Sequence, residues 1–419
     1  MTGVQTYALP ICVAGVGVAN ANVSLTSNQN VNVRGTAVLE ALGNIAIDAG
    51  QDPEGLWETR MTTSANAQSV VRGLIAIPSA RAVSRSYNNA GVTVDAAAQV
   101  LAARSITVGG FKGYTFAEAD GVGRGYELGF IPVTNKDSTS DPRSTSTATL
   151  NGTLLAGRYH ELVIDIDANG NLVQSSGLPV SWMLDTGFIP TAYLDGISGI
   201  DATTKQILRN TLASNVTGAI RLGSMMAAGG NITVQADSLS GSGSLTANGG
   251  PKIQVTNASS RYLLVGSALI PSDTGGNVYF TGGAGAAQFG ASQVHEVNKG
   301  QRAQILIQNT WGGSSGNVSY GPAIFLTGDL YNLSGLIHIT NAKGSLGQFA
   351  STYGQQVLVE IPEGSMSVYQ PNAYWAVGSN PISEWSAFAD ITSSPTLAIE
   401  MIANAMYTHG ELANNNGGL

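Results

Sequence analysis

Hydrophobic and polar residues alternate over short stretches along most of this chain. Within residues 21–50, Val31, Val33 and Val38 alternate with polar neighbours, and Ile45 and Ile47 repeat the pattern after a Gly-Asn pair. A period of two residues turns one side of a strand inward and the other toward solvent. In the second half of the chain, Gly, Asn, Asp and Ser separate one short alternating run from the next. The pattern therefore predicts many short β-strands joined by tight turns.

The spacing of these strands favours a stack of parallel strands. No helical run separates neighbouring strands, as a βαβ unit would require, and the strands are too numerous for an ordinary barrel or sandwich. Coils of a parallel β-solenoid, with roughly 20–30 residues each, fit the pattern better. At the corners of such coils glycine can adopt positive φ, and asparagine side chains can stack in hydrogen-bonded ladders. We predict an all-β fold, a parallel β-helix (β-solenoid) with short helical insertions.

Two segments depart from the strand pattern. Asp201 can cap a helix whose apolar residues follow at helical spacing. Near the end of the chain, Ser394, Pro395 and Gly410 flank the run TLAIEMIANAMYTH in the order of N-cap, first-turn proline and C-terminal glycine. Both segments are expected to form short helices that pack on the solenoid or cap it.

The opening segment, MTGVQTYALPI, differs from everything after it. It contains no Lys or Arg, unlike the basic start of a secretory leader, and it resembles the translation of a sequencing adapter, with Tyr7 in place of Cys. We expect it to be an artefact outside the fold. The predicted organisation is therefore adapter 1–11, β-solenoid segment 12–186, helical insertion 187–217, β-solenoid segment 218–390, and a short, truncated helical segment 391–419.

Composition and charge exclude several functions. Charged residues make up 11% of the 419 positions, yet 43% are hydrophobic, which favours a folded chain over a disordered one. The net charge of −8, with 19 Lys and Arg, gives no basic surface for nucleic acid or anionic lipid. No apolar run is long enough for a transmembrane helix. Cys12 is the single cysteine, so no internal disulfide is possible.

Two Asp-Thr-Gly triplets raise the possibility of a protease. They begin at Asp185 and Asp273 and have the sequence found around the paired aspartates of pepsin-like proteases. The triplets are close together for two protease lobes, and Asp273 follows Pro271-Ser272 rather than an apolar strand. Because Asp-Thr-Gly is also favourable in turns, we expect turns at both positions.

The stretch VIDIDANGNLV has the spacing of a calcium loop. Asp165, Asp167 and Asn169 could supply ligands, but the twelfth position of such a loop is Ser176 instead of Glu. An Asn-Gly pair at Asn169-Gly170 between alternating runs is typical of a type I′ hairpin. We predict a hairpin here, with weak calcium binding as the alternative.

The remaining candidates for chemistry are few. None of the histidines has a second His or a Cys at ligand spacing, so we expect no zinc site and assign no catalytic, cofactor-binding or metal-binding residue and no cofactor. A polysaccharide lyase or hydrolase on a β-helix would need clustered carboxylates, whereas the acids here are scattered. Carboxylates from different coils could still converge, so this enzyme class stays as the alternative function. The histidines are His160, His295, His338 and His409.

Three stretches between Gly230 and Gln348 carry a family resemblance: ITVQADSLSGSGSLTANGGPKIQVTN, IPSDTGGNVYFTG and GPAIFLTGDLYNLSGLIHITNAKGSLGQ. They resemble filamentous-haemagglutinin-like exoproteins, and more narrowly leukotoxin-type filamentous adhesins. The resemblance covers most of Asn22 to Trp385. It implies a right-handed parallel β-helix, exported by two-partner secretion through an outer-membrane pore and then displayed at the cell surface or released. It supplies no binding residue that maps onto this chain.

The expected function follows from this resemblance. The chain is interpreted as an internal fragment, a structural rod segment of a large secreted bacterial surface adhesin that mediates attachment and has no enzymatic activity. Its expected partners are the outer-membrane export pore and a ligand on a host or bacterial surface, with no nucleic acid. A trimeric phage fibre is a weaker alternative.

Overall fold

The structure is a computed structural model, and its strands account for most of the described residues. It describes residues 11–50, 60–111, 113–127, 135–176, 184–185, 202, 206, 220–259, 263–271, 275–283, 288–310, 324–326, 328–342, 346–348, 350–368, 374–377, 399–408 and 411–414.

In chain order, the first half of the strands are β1 (Ile11–Val33), β2 (Val38–Ala41), β3 (Ile45–Ala49), β4 (Arg60–Val94), β5 (Gln99–Ala102), β6 (Ile106–Gly110), β7 (Tyr114–Glu127), β8 (Asn135–Leu150), β9 (Thr153–Ala156), β10 (Glu161–Ile166), β11 (Leu172–Ser176), β12 (Leu184–Asp185), β13 (Ile220–Leu222), β14 (Met225–Met226) and β15 (Ile232–Gln235). The second half are β16 (Ser238–Ser240), β17 (Ser244–Asn248), β18 (Lys252–Asn257), β19 (Leu263–Val265), β20 (Ala268–Leu269), β21 (Val278–Thr281), β22 (Val294–Val297), β23 (Gln304–Asn309), β24 (Ile324–Leu326), β25 (Leu330–Asn341), β26 (Leu346–Gln348), β27 (Thr352–Val368), β28 (Tyr374–Val377), β29 (Ile399–Thr408) and β30 (Glu411–Asn414).

These strands form four sheets, and most neighbouring strands are parallel. Sheet A contains β1, β4, β7, β8 and β16; sheet B contains β2, β5, β9, β17 and β22; sheet C contains β3, β6, β15 and β21. Sheet D is the largest, and β10, β18, β23, β25 and β27 are consecutive neighbours in it. The β10–β11 and β12–β13 pairs are antiparallel. The predicted all-β fold with parallel strands is confirmed, and it is compatible with a β-helix.

The chain returns repeatedly to the same sheets and adds a strand beside an earlier one each time, and we call each such circuit a pass. The first pass runs through β1, β2 and β3 in sheets A, B and C, and the second runs through β4, β5 and β6 in the same order. Between these passes Asn28 pairs with Asn89, 61 positions later. In sheet D the advance varies: Leu263 pairs with Ile324, whereas Leu330 pairs with Thr352, 22 positions later as for Asp329 and Ser351. The predicted coil length is therefore right between β25 and β27 and wrong for the longer passes.

The prediction of short strands is wrong near the start of the chain, where β1 has 23 residues and β4 has 35. Asn88 and Asn89 lie inside β4, and Asn89 Nδ2 donates to Asn28 Oδ1 at 2.9 Å. This side-chain hydrogen bond joins β4 to β1. The two halves of β4 also face each other, since Ser84 donates to Thr63 at 2.8 Å. The small side chains between the layers make this close approach possible: Ala19, Ala21, Ala65, Ala67, Ala80 and Ala82.

Apolar residues stack from pass to pass to form the core. Val33 pairs with Val94, and Val94 with Leu150, all buried in the cluster that sheets A, B and C share. In sheet D, Ile253 pairs with Ile305 and Ile305 with Ile337, each fully buried. Each such side chain contributes about 1.5–3 kcal/mol by its burial. The alternation seen in the sequence therefore marks these inward-facing positions correctly, but it is wrong at Val38, which is 55% exposed.

The predicted C-terminal helix is wrong in its described part. Ile399–Thr408 is a strand, β29, which pairs in parallel with β27 from Val357 opposite Ile399 onward. Pairing with an existing strand satisfies the backbone hydrogen bonds and overrides the local helix signals. The capping residues Ser394, Pro395 and Gly410 lie outside the described residues.

The other predicted boundaries fall largely on residues that the structure does not describe. Of the helical insertion at 187–217, it describes only two isolated positions, Ala202 and Gln206, both helical. Of the adapter segment 1–11 it describes Ile11 alone, where β1 begins.

Candidate functional site

One broad outer surface of sheet D concentrates polar side chains, and we call it the polar face. Side chains along its strands alternate between buried and partly exposed positions, as in β10, β18 and β23. The outward positions are in register across five strands, so their side chains form rows. The polar face consists of Glu161, Val163, Asp165, Lys252, Gln254, Thr256, Gln304, Leu306, Gln308, Leu336, His338, Thr340, Gln356, Leu358 and Glu360.

A polar cleft of about 490 Å³ lies at one end of this face. Lys252 Nζ and Glu161 Oε1 form an ion pair across it at 3.0 Å, with 29% and 43% of the two side chains exposed. The exposed guanidinium of Arg302 adds a second cation to the lining. The complete lining is His160, Glu161, Gly250, Lys252, Asn298, Gln301, Arg302 and Gln304.

A second cleft, of about 460 Å³, lies at the other end of the polar face. Glu360 lines it and lies 2.8 Å from His338 Nε2, which comes from the neighbouring strand. Amides, hydroxyls and one carboxylate supply the polar groups of this cleft. The complete lining is Gln308, Asn309, Thr310, Thr340, Asn341, Ala342, Glu360 and Pro362.

A ladder of buried asparagines supports this second cleft. Asn257 pairs with Asn309 and Asn309 with Asn341, and all three are at least 98% buried. Asn309 Nδ2 donates to Asn341 Oδ1 at 2.8 Å, and Asn257 Oδ1 accepts the backbone N–H of Ser259 at 3.1 Å. Stacked amides at a corner were predicted from the sequence, and this ladder confirms them. It holds the strand ends in fixed register below the cleft.

The hairpin predicted at Asn169-Gly170 is confirmed, but its turn type is not. β10 and β11 pair antiparallel with Ile166 opposite Leu172. Gly170 has φ of 79°, whereas Asn169 is not among the described non-glycine residues with positive φ, as a type I′ turn would require. A shift in pairing at Ile166 accommodates the extra loop residue, as a β-bulge does.

Asp167 stabilises this turn from within. Its Oδ1 accepts the backbone N–H of Asn169 at 2.9 Å and that of Asn171 at 2.7 Å, and its Oδ2 accepts Asn171 Nδ2 at 3.4 Å. The bond from the Asn171 backbone is the main cause that lowers the pKa of Asp167. These donors occupy the carboxylate that calcium would need. Among the described residues, no three His, Cys, Asp or Glu side chains gather as a metal site would require.

The other sequence candidates are dispersed or lie outside the described residues. Asp185 ends the two-residue strand β12 opposite Arg221, whereas Asp273 lies outside the described residues, so the structure does not test their pairing. His295 lies on β22 opposite Thr246. His160 lies 3.2 Å from the Gly157 carbonyl through Nδ1. His409 lies outside the described part of the chain.

Sequence reasoning missed an ion pair that joins distant passes. Arg158 pairs with Glu40, and Tyr159 donates to Glu40 Oε1 at 3.0 Å although it lies 119 positions along the chain. The hydrogen bond from Arg158 is the largest cause that lowers the pKa of Glu40. No local motif marks these residues, because the register between passes alone brings them together.

In the described ranges, no helix has the length and apolar character needed to span a membrane. No protein-family model, curated protein or solved structure matches this chain.

Proposed function

We propose that this chain is a structural rod segment of a large secreted bacterial surface adhesin, built as a right-handed parallel β-helix. The in-register parallel pairing of successive passes over shared cores is the observation that carries this proposal. In such a stack each pass contacts only its neighbours, so length can increase without redesign of the core. A rod of this kind holds contact surfaces away from the cell that displays it.

The polar face is the contact surface of this rod in our proposal. Its rows of amides, hydroxyls and a few charges can donate and accept many hydrogen bonds, each weak alone. Regular strand spacing of about 4.8 Å repeats these groups along the rod, so a surface polymer can bind at several positions together. Attachment through many weak contacts requires no deep pocket.

The first experiment measures shape and attachment on the same protein. Electron microscopy should show elongated particles, and beads coated with the chain should bind cells of the source community or its host. The triple variant Gln254→Ala, Gln308→Ala and Thr340→Ala should reduce bead attachment at least about fivefold. Its matched control carries Thr145→Ala, Thr149→Ala and Ser240→Ala, which remove exposed hydroxyls from sheet A.

The two variants also identify the result that would contradict the proposal. Equal loss in both variants would mean that the polar face has no special part in attachment. Compact particles together with no attachment by the unchanged chain would contradict the rod itself.

Export to the cell surface through an outer-membrane pore is part of the proposal and rests on the resemblance of residues 230–348 to filamentous adhesins. Protease added to intact source cells should remove the chain, as detected with an antibody against it, while a cytoplasmic marker stays intact. Protection of the chain until the cells are lysed would contradict this location.

One observation favours a carbohydrate-active enzyme as the second candidate. The His338–Glu360 pair at 2.8 Å places an imidazole and a carboxylate beside a polar cleft. These two groups are the ones that general acid–base catalysis commonly uses. Under this alternative, the chain would release reducing ends from a polysaccharide, and Glu360→Gln would abolish the release. Attachment without any such release favours the adhesin.

A further inference from the structure

The cleft of about 490 Å³, where β10, β18 and β23 begin, contains one cation without a counter-ion. Lys252 pairs with Glu161 at 3.0 Å, and beside the cleft Lys299 pairs with Glu296 at 3.0 Å. Among the described residues, none forms an ion pair with Arg302, whose side chain is exposed. Two cations and one carboxylate thus line the cleft, which carries one net positive charge when its histidine is neutral.

Strand register brings Arg302 to the same side of the sheet as Lys252. Gln304 lies directly opposite Lys252 in the parallel pair of β18 and β23. Ala303 is fully buried, whereas Arg302 and Gln304 on either side of it are exposed and partly exposed. Neighbouring strands lie about 4.8 Å apart, and two residues of chain span at most about 7 Å. An anionic group between the two cations can therefore contact both.

A tight turn forms one wall of the cleft and holds it in shape. The Gln301 N–H donates to the Asn298 carbonyl at 3.1 Å, and Asn298 has a positive φ of 55°. Gly250 packs so closely against this turn that a Cβ on it would lie 2.8 Å from the Cβ of Gln301. A site that is already shaped before the ligand arrives loses less entropy on binding.

The uncharged groups of the cleft can bind hydroxyls. His160 Nδ1 lies 3.2 Å from the Gly157 carbonyl. Because a carbonyl oxygen can only accept, Nδ1 carries the proton, and Nε2 of the neutral ring is left as an acceptor. The side-chain amides in the lining both donate and accept, and they belong to Asn298, Gln301 and Gln304. Two cations for an acid group, together with donors and acceptors for hydroxyls, match the chemistry of an acidic sugar.

We propose that this cleft binds a sugar residue that carries one carboxylate, as a uronic acid does. The guanidinium of Arg302 presents a fork of donors that matches a planar carboxylate, and the Lys252 ammonium adds a second charged donor. One net positive charge suits a ligand group with one negative charge. The inference rests on the proposed function only in that it assigns a ligand class to one end of the polar face.

Isothermal titration calorimetry of the whole chain tests this site with methyl β-glucuronide and with its neutral counterpart, methyl β-glucoside. The glucuronide should bind with a Kd between about 0.1 and 10 mM, and the glucoside at least about tenfold more weakly. Arg302→Gln should weaken glucuronide binding at least about tenfold, because the carboxylate loses its charged fork. Glu161→Gln should strengthen it at least about threefold, because Lys252 then loses its competing carboxylate.

Arg34→Gln is the matched control, because Arg34 is also exposed but follows β1, outside the lining of the cleft. This variant should bind the glucuronide like the unchanged chain, and circular dichroism verifies that each variant keeps its strands. Three results would overturn the proposal: equal affinity for the two glycosides, equal effects of Arg302→Gln and Arg34→Gln, or acetate binding as tight as that of the glucuronide.

Attachment of coated beads separates this proposal from the adhesin function. Beads that attach to cells although the chain binds no glucuronide would show that the acidic-sugar site is wrong and leave the adhesin function standing. Glucuronide binding with the expected response to Arg302→Gln, in a chain whose beads do not attach, would support the site and contradict the adhesin function.

Discussion

Asn309 and Asn341 lie on neighbouring passes, 32 positions apart in sequence, and the amide of the first donates to the carbonyl oxygen of the second at 2.8 Å. Both side chains are at least 98% buried beside fully apolar rows. A buried amide without a partner would cost free energy, so the two residues stabilise each other only when the strands are in this register. The pair therefore fixes the register of β23 against β25.

Asn309→Ala should lower the free energy of unfolding by about 1–3 kcal/mol, because Asn341 then loses a buried donor. The double variant Asn309→Leu and Asn341→Leu should cost less than the sum of the two single changes, since no amide is left without its partner. Urea unfolding measures both quantities. Gln254→Ala, on the polar face, serves as a control and should change stability by less than about 0.5 kcal/mol. Equal effects of Asn309→Ala and this control would contradict the role of the ladder.

Gly335→Ala should destabilise the chain strongly. A Cβ at this position would lie 1.9 Å from the carbonyl oxygen of Ala303 on the neighbouring pass, so the backbone would have to move. Gly43→Ala is the matched control, because its Cβ would meet no atom within 4 Å. We expect thermal unfolding to show a lower Tm for Gly335→Ala and little change for Gly43→Ala. Similar Tm values for the two variants would show that the passes are less closely packed than described.

Acid should destabilise the chain through carboxylates that accept backbone hydrogen bonds. The backbone N–H of Asn171 lowers the pKa of Asp167, and the backbone N–H of Val278 is the largest cause that lowers the pKa of Glu296. A pKa that is lower in the folded state adds stability above the unfolded value of about 4, and this stability is lost as the pH falls through the folded value.

The Tm should therefore stay level with respect to these two groups between about pH 7 and 5, and fall below about pH 4. The double variant Asp167→Asn and Glu296→Gln should show a shallower fall. A fall of the same steepness in the variant would assign acid sensitivity to other groups.

Calcium should leave the stability of the hairpin unchanged. A ligand that binds only the folded state raises Tm, but the carboxylate of Asp167 already accepts three hydrogen bonds in its own loop. Addition of about 1 mM calcium, followed by a chelator, should give the same Tm throughout. A rise in Tm that the chelator reverses, and that Asp167→Asn abolishes, would show a calcium site.

The sequence is informative wherever a local rule decides the structure. Alternation in residues 252–257 marks Ile253 and Val255 as inward, and both are fully buried. The hairpin at Asn169-Gly170 follows from its turn residues in the same way. Burial of alternate side chains and the special conformation of glycine act over a few residues, so a reader of the sequence can apply them directly.

Features that depend on the register between passes are not visible in the sequence. Lys252 forms an ion pair with Glu161 because β18 and β10 lie side by side, although the two residues are 91 positions apart in the sequence. The wrong prediction of a C-terminal helix has the same cause. Residues 399–408 form a strand because they pair with β27, and the local sequence does not show this pairing. The length of chain between passes sets these neighbours, and no local pattern encodes it.

Passes differ in length, from 61 positions between Asn28 and Asn89 to 22 between Asp329 and Ser351, and this variation affects the width of the molecule but not the length of the stack. Every pass adds one strand spacing, about 4.8 Å, along the stack, whatever the number of residues it contains. An insertion inside one pass therefore widens the molecule locally and leaves its span unchanged, whereas duplication of a pass extends the span and leaves the width unchanged. Evolution can alter the two dimensions of such a chain by separate kinds of genetic event.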